Sequence, residues 1–324
     1  MRTMFYGTGF IAFAAALAAG CGDAGAPDPA SKDVFEELGP ASFADAEELG
    51  RHHDLNARGA WRSLSEFGIE EWSEDPACPR VTLDGDTVTV EGGCTDAEGK
   101  VWSGRATRTG TVESRTWTGA FDGVTVEDTH ACDDGSVVSE VWRMDGTGSS
   151  ADRGDGHVAF AVDVRIERTV LEPGMCADPG VYTTVQRFSG TFDETGGDRT
   201  ADRAPDRVVW NGRGILGDSD DGVALVETTD VVFEKAVCDS EAISGRTVLT
   251  AGGHRAEMRH DGATDCDATQ TVKWTYDGRD MGEAEVSACA IRRPGADARA
   301  LLPVLALLAG LVALRSVMRR APRS

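Results

Sequence analysis

The sequence predicts a mainly β protein: a large curved antiparallel meander, an open roll or partial barrel, with short N-terminal helices and a C-terminal apolar helix. Three observations carry this. Val158, Phe160, Val162, Val164 and Ile166 alternate with Ala159, Ala161, Asp163, Arg165 and Glu167, the period of a sheet with one buried and one wet face. The 39 glycines, many in Asp-Gly and Gly-Gly pairs, supply closely spaced turns. No helical pattern alternates with the strands, so the crossovers that a parallel sheet requires are missing. A meander of about a dozen strands curls, because flat sheets of that width are unusual.

The chain opens with Arg2 and a mostly apolar stretch from Phe10 to Ala19, the layout of an export signal over residues 1–21. Leu17-Ala18-Ala19-Gly20-Cys21 resembles the lipobox of bacterial lipoproteins, which implies acylation of Cys21 after cleavage. The leucine stands one place further from the cysteine than in the usual motif, and cleavage after Ala16-Leu17-Ala18 is the alternative. Residues 22–40 begin with small, acidic and proline residues up to Lys32 and read as a flexible tether. In residues 41–74, Ser42 and Asn56 offer helix caps. Phe43, Leu49, Leu55, Trp61, Leu64 and Phe67 are the apolar positions expected to pack on the sheet.

Residues 75–290 form the expected β domain. Its first hairpin runs from Cys78 to Cys94, with a turn at Asp84-Gly85. Further strands are expected over 101–107, 115–121, 123–130, 137–144, 158–166, 181–192, 207–216, 223–237, 246–250, 254–260, 271–276 and 284–288. In residues 291–324, an uncharged run from Ala300 to Leu314 precedes Arg315, Arg319, Arg320 and Arg323. It falls short of the roughly 20 residues that cross a bilayer core. Membrane insertion with the arginines inside, a buried core helix and a sorting tail are its three readings.

Eight cysteines behind an export signal point to disulfides. Cys78 with Cys94 is the pairing that the hairpin predicts. Cys132 with Cys176 and Cys238 with Cys289 follow, with Cys266 left unpaired. The formal charge of −23 repels nucleic acid and favours cations or basic partners, so no nucleic-acid partner is expected. Attachment to a membrane is expected through lipidated Cys21, the C-terminal helix, or both. No catalytic set, cofactor or metal is predicted.

Several other stretches have residue types that bear on chemistry. Thr129-His130-Ala131-Cys132 and the Gly217–Gly222 segment have the residue types of trypsin-like histidine and serine segments, but the extra Ala131 and the acids around Ser219 do not fit that family. Asp218, Asp220 and Asp221, and the Asp96-Ala97-Glu98-Gly99 turn, have calcium-loop composition without a full ligand set. His52, His53, His130, His157, His254 and His260 form no zinc motif. Trp102, Trp117, Trp142, Trp210 and Trp274 fall on strands, where a solvent-facing row would stack on sugars and a buried row would be core.

Two stretches, Gly92-Gly93-Cys94-Thr95-Asp96-Ala97-Glu98-Gly99 with Trp102-Ser103-Gly104, and Gly252-Gly253-His254 through Asp261–Asp267, resemble segments of uncharacterised β-rich secreted lipoproteins of the myxobacterial type. The resemblance implies compartment and fold class, and no activity. The expectation is therefore an exported, cell-envelope-anchored, non-enzymatic protein with a structural or interaction role. The alternatives are a carbohydrate- or calcium-dependent adhesin and, behind it, an exported hydrolase.

Overall fold

A computed structural model describes residues 29–69, 72, 77–111, 114–132, 135–172, 177–196, 205–238, 241–262, 266 and 269–287. The export signal, Cys21, Cys176, Cys289 and residues 291–324 lie outside the described residues. Among the described residues 14 strands form one antiparallel sheet, 13 of them in a continuous meander. These are β1 (Arg80–Asp84), β2 (Thr87–Glu91), β3 (Cys94–Thr95), β4 (Val101–Thr111), β5 (Thr116–Ala131), β6 (Val137–Asp152) and β7 (His157–Glu172). They continue with β8 (Gly180–Thr195), β9 (Arg207–Asp218), β10 (Gly222–Glu234), β11 (Ser244–Ala251), β12 (His254–His260), β13 (Thr269–Tyr276) and β14 (Arg279–Ser287). The edges are β1 and β14, so the roll stays open, as expected; β3 branches off beside β4.

The strands expected over 115–121 and 123–130 are one strand, β5. A register shift between Phe121 and Val124 marks a bulge at Asp122-Gly123, where Gly123 has φ 54°. In the first hairpin Asp84 pairs with Thr87, so the turn residues are Gly85 and Asp86. Gly85, at φ 58°, occupies the first turn position, where glycine suits a type II′ hairpin.

The expected tether is corrected in its second half. Residues Pro29–Leu38 form α1, whose Val34 is buried with Val185, Ile215 and Val223 on the outward face of the sheet. The acidic, small-residue composition stops at Lys32, and Val34, Phe35 and Leu38 then fall on one helical face. The chain next crosses the sheet. Ala41 N–H donates to Val223 O at 3.0 Å, and Val223 N–H donates to Gly39 O at 3.0 Å. This segment occupies the end of β10 beyond the pairing with β11, which starts at Leu225. A side chain on Gly222 would run into the Pro40 and Ala41 backbone.

On the inward face lie α2 (Ala46–Arg51), α3 (Ala57–Ser63) and a 3-10 turn, Leu64–Phe67. Asn56 caps α3 as expected, accepting from Gly59 N–H. Asp45 rather than Ser42 caps α2, because the Ser42 hydroxyl donates to Glu48 Oε2 instead. One apolar core joins these helices to the sheet from Val88 on β2 to Val286 on β14. Laid flat, the 13 strands in register order would span about 58 Å at ~4.8 Å each, whereas a seven-residue helix reaches about 10 Å. The sheet therefore rolls around the helices.

Aromatic rings fill the interior. Trp61 meets Phe160 and Phe192 at 5.4 and 4.8 Å between centroids, and Phe67 stacks on Phe121 at 4.3 Å. Gly119 and Gly148 face each other across β5 and β6, and a methyl on either would enter the Phe67 ring. Phe67→Ala is expected to cost about 3–5 kcal/mol in urea unfolding. Gly148→Ala is expected to cost about 1–3 kcal/mol by overpacking against the same ring. A wild-type midpoint for both variants would contradict this account of the core.

Candidate functional site

A cavity of about 40 Å³ lies between the α2–α3 connection and β10–β14. Its polar lining includes His53, Asp54, Arg58, Arg62, His260 and Gln270. His53 precedes the α3 cap, and its Nδ1 lies 3.2 Å from Gly50 O while its Nε2 lies 3.1 Å from Asp54 Oδ1. His260 enters from the end of β12 with its Nδ1 sealed from solvent and unpartnered, as is Asp54 Oδ2. The apolar floor includes Val231, Phe233 and Met258, and the Arg58 guanidinium rests 4.1 Å over the Phe233 ring.

Burial dominates the ionisation here. It pushes the Asp54 carboxyl above the usual carboxylate range, against the attraction of His53, Arg62 and Arg58. It lowers His260 to about 4, with the neighbouring His53 acting in the same direction. The 3.1 Å approach of His53 Nε2 to Asp54 Oδ1 lacks hydrogen-bond geometry, and His53 Nε2 is also sealed without a hydrogen-bond partner. At one probe-sized volume of 10–15 Å³ per molecule, the cavity has room for roughly three waters to satisfy the sealed atoms. The two imidazoles and the carboxylate do not draw together as a metal set. Among the described residues, only Cys238, Glu241 and Cys266 bring three such ligand atoms within 4.8 Å of one another.

Sequence reasoning missed this constellation. The His52-His53-Asp54 run was its one local signal, and His260 joins only through the register of β12. His52 does not enter the cavity. It is buried, and burial lowers its pKa against the pull of Asp221 and Asp218.

The acidic loops are turns closed on themselves. Asp218 Oδ1 accepts the N–H groups of Asp220 and Asp221, each at 2.9 Å, and Arg51 stands 3.5 Å from Asp221. Burial raises the Asp218 pKa, against those turn hydrogen bonds. Asp96 accepts from Glu98 and Lys100 N–H and from Trp102 Nε1. Burial acts to raise its pKa, but these donors together hold it low. Of the five strand tryptophans, Trp117, Trp210 and Trp274 are core residues, and Trp102 and Trp142 are half-buried. Trp142 Nε1 donates to Glu140, which also accepts from buried Arg168 at 2.5 Å. His130 on β5 and His254 on β12 are seven strands apart in sheet order; His254 Nδ1 lies 2.8 Å from Asp277 Oδ2 on the exposed β13–β14 turn.

The cysteines follow the meander. Cys78 and Cys94 are joined, with Cα atoms 5.8 Å apart. Cys132 is also in a disulfide; Cys176 lies outside the described residues. The expected Cys238–Cys289 pair is corrected: Cys238 is joined to Cys266, with Cα atoms 5.6 Å apart. The β10–β11 and β12–β13 loops leave the same end of the sheet two strands apart, about 10 Å, whereas β14 ends four strands from β10.

Compared with protein-family models, curated proteins and solved structures, the chain has no match.

The buried histidines give a signed pH dependence. His260 is near 4 in the folded state and about 6.5 unfolded, so its contribution is intact above pH 6.5 and is lost as pH falls towards 4. Allowing for the partial exposure of the residue, the loss is on the order of 2 kcal/mol. Lowered His52 adds to the loss, and raised Asp54 offsets part of it at the acid end. Urea unfolding of His260→Gln between pH 7 and 4 is expected to show a flatter slope than wild type; an identical slope would refute the assignment.

Proposed function

We propose that this is an exported, envelope-anchored, non-enzymatic protein whose stapled β body has a structural or interaction role. The observation that carries the reading is the pair of disulfides, Cys78–Cys94 and Cys238–Cys266, since such bonds persist in oxidising compartments. Anchoring rests on the lipobox-like segment at Cys21 and the apolar run ending in arginines, both outside the described residues. The resemblance to secreted β-rich lipoproteins agrees with that compartment.

The outward face supports attachment through the chain ends rather than the strands. Ion pairs Arg143–Asp145, Arg187–Asp163 and Arg165–Glu167 spread over it, a hydrated pattern unlike the apolar belt of a membrane barrel. Among the described residues no helix is long and apolar enough to cross a membrane. The adhesin reading has less support, because Asp218 is committed to its turn and three of the five strand tryptophans are core.

Intact mass of protein extracted from membranes and alkylated without reduction tests the proposal. The expected result is an acyl increment on Cys21, with Cys78, Cys94, Cys132, Cys238 and Cys266 protected from alkylation. Recovery of an unacylated cytosolic protein with these thiols alkylated would overturn it.

A further inference from the structure

The two open edges of the roll are built differently. β14 is interrupted by a bulge opposite Trp274 and Thr275, is packed by α2, and exposes Asp280, Glu283 and Glu285. Pairing β14 with a copy of itself would set Glu283 against Glu285, a repulsive arrangement that guards an edge. Among the described residues β1 has no bulge, and its exposed charges, Arg80 and Asp84, are of opposite sign. Its five residues pair with β2 without a register break, and among the described residues no strand pairs with its other side. Leu83 on it is 73% exposed, the highest value among the exposed large apolar side chains of the described residues.

The sequence of β1, Arg80-Val81-Thr82-Leu83-Asp84, is complementary to itself when reversed. The two-residue turn closes on the Asp84–Thr87 pair, which in such a hairpin exchanges both backbone hydrogen bonds. Arg80, Thr82 and Asp84 therefore turn their N–H and C=O groups to β2, and Val81 and Leu83 turn theirs outward. An antiparallel copy centred on Thr82 brings Val81 opposite Leu83, so the outward-facing groups meet each other. The same register brings Arg80 opposite Asp84 at both ends and covers each exposed Leu83 with a Val81 side chain. Hydrogen-bond phase, charge and apolar burial thus select one register.

We propose that β1 is an interaction edge whose occupant is the β1 strand of a second copy of this chain, giving a two-fold symmetric dimer across Thr82. The interface is short, and the pairing is reversible. The Arg80–Glu91 ion pair remains available inside each copy, since Glu91 lies on β2.

The axis of symmetry provides a direct test in cells expressing the full chain. Thr82 faces Thr82 of the second copy in a non-hydrogen-bonded pair, where Cα atoms lie about 4.5 Å apart, within disulfide reach. Thr82→Cys is expected to yield a cross-linked dimer under mild oxidation, and Thr118→Cys, exposed on β5, is not. Adding Asp84→Arg, or separately Arg80→Asp, to Thr82→Cys places like charges opposite each other and should reduce the cross-link at least ~10-fold. Co-expressing those two double variants restores opposite charges at both ends and should restore the cross-link as a heterodimer. Absence of a Thr82-specific dimer, a cross-link indifferent to the charge reversals, or a cross-link to a different protein would each overturn the proposal.

Discussion

The structure depends on one steric constraint: a single apolar sheet face, 13 strands wide along its pairing path, has to be covered by the short segment 41–72. Rolling the sheet is the geometric solution, and large rings make it work at low residue count. Phe43 reaches Tyr276 on β13, Trp61 reaches Phe192 on β8, and Phe67 and Trp72 both reach Phe121 on β5. The facing glycines on β5 and β6 admit the Phe67 ring where a side chain would block it. Such rings bury 150–250 Å² each, so a few of them join helices and sheet into one core.

Where the helices stop, polar chemistry takes over. Far along β6 and β7, Arg168 and Glu140 are both only 4% exposed at the side chain. Glu140 also accepts from Trp142, and the Arg168 guanidinium lies near the Trp142 and Tyr182 rings. A buried pair of this kind is a weak source of net stability, but loss of either partner leaves a buried charge behind. The cavity at His53, Asp54 and His260 is the looser counterpart of this arrangement: its polar atoms line a space large enough for water instead of closing on each other.

The meander also organises the covalent chemistry. Successive loops at one end of an antiparallel sheet lie two strands apart, and Cys238–Cys266 joins such a pair. Cys78–Cys94 spans a loop with a sequence separation of 16, worth about 3 kcal/mol in the chain-entropy account. It ties the start of β1 to β3, close to the open edge. The opposite edge is blunted by acids and a bulge, so the two ends of the roll differ in what they can pair with.

The strand alternation, the turn glycines, the Cys78–Cys94 hairpin and the Asn56 cap were legible in the sequence because each is a local matter of period, φ or capping. Side-chain period separates one sheet face from the other without knowledge of any partner. The helix at Pro29–Leu38, the crossing at Gly39–Ala41, the Cys238–Cys266 bond and the meeting of His53 and Asp54 with His260 were decided only by the tertiary structure. Each depends on how far the sheet has advanced and curled between residues distant in the chain. Local sequence carries no measure of that distance; the accumulated register and roll of the meander set it.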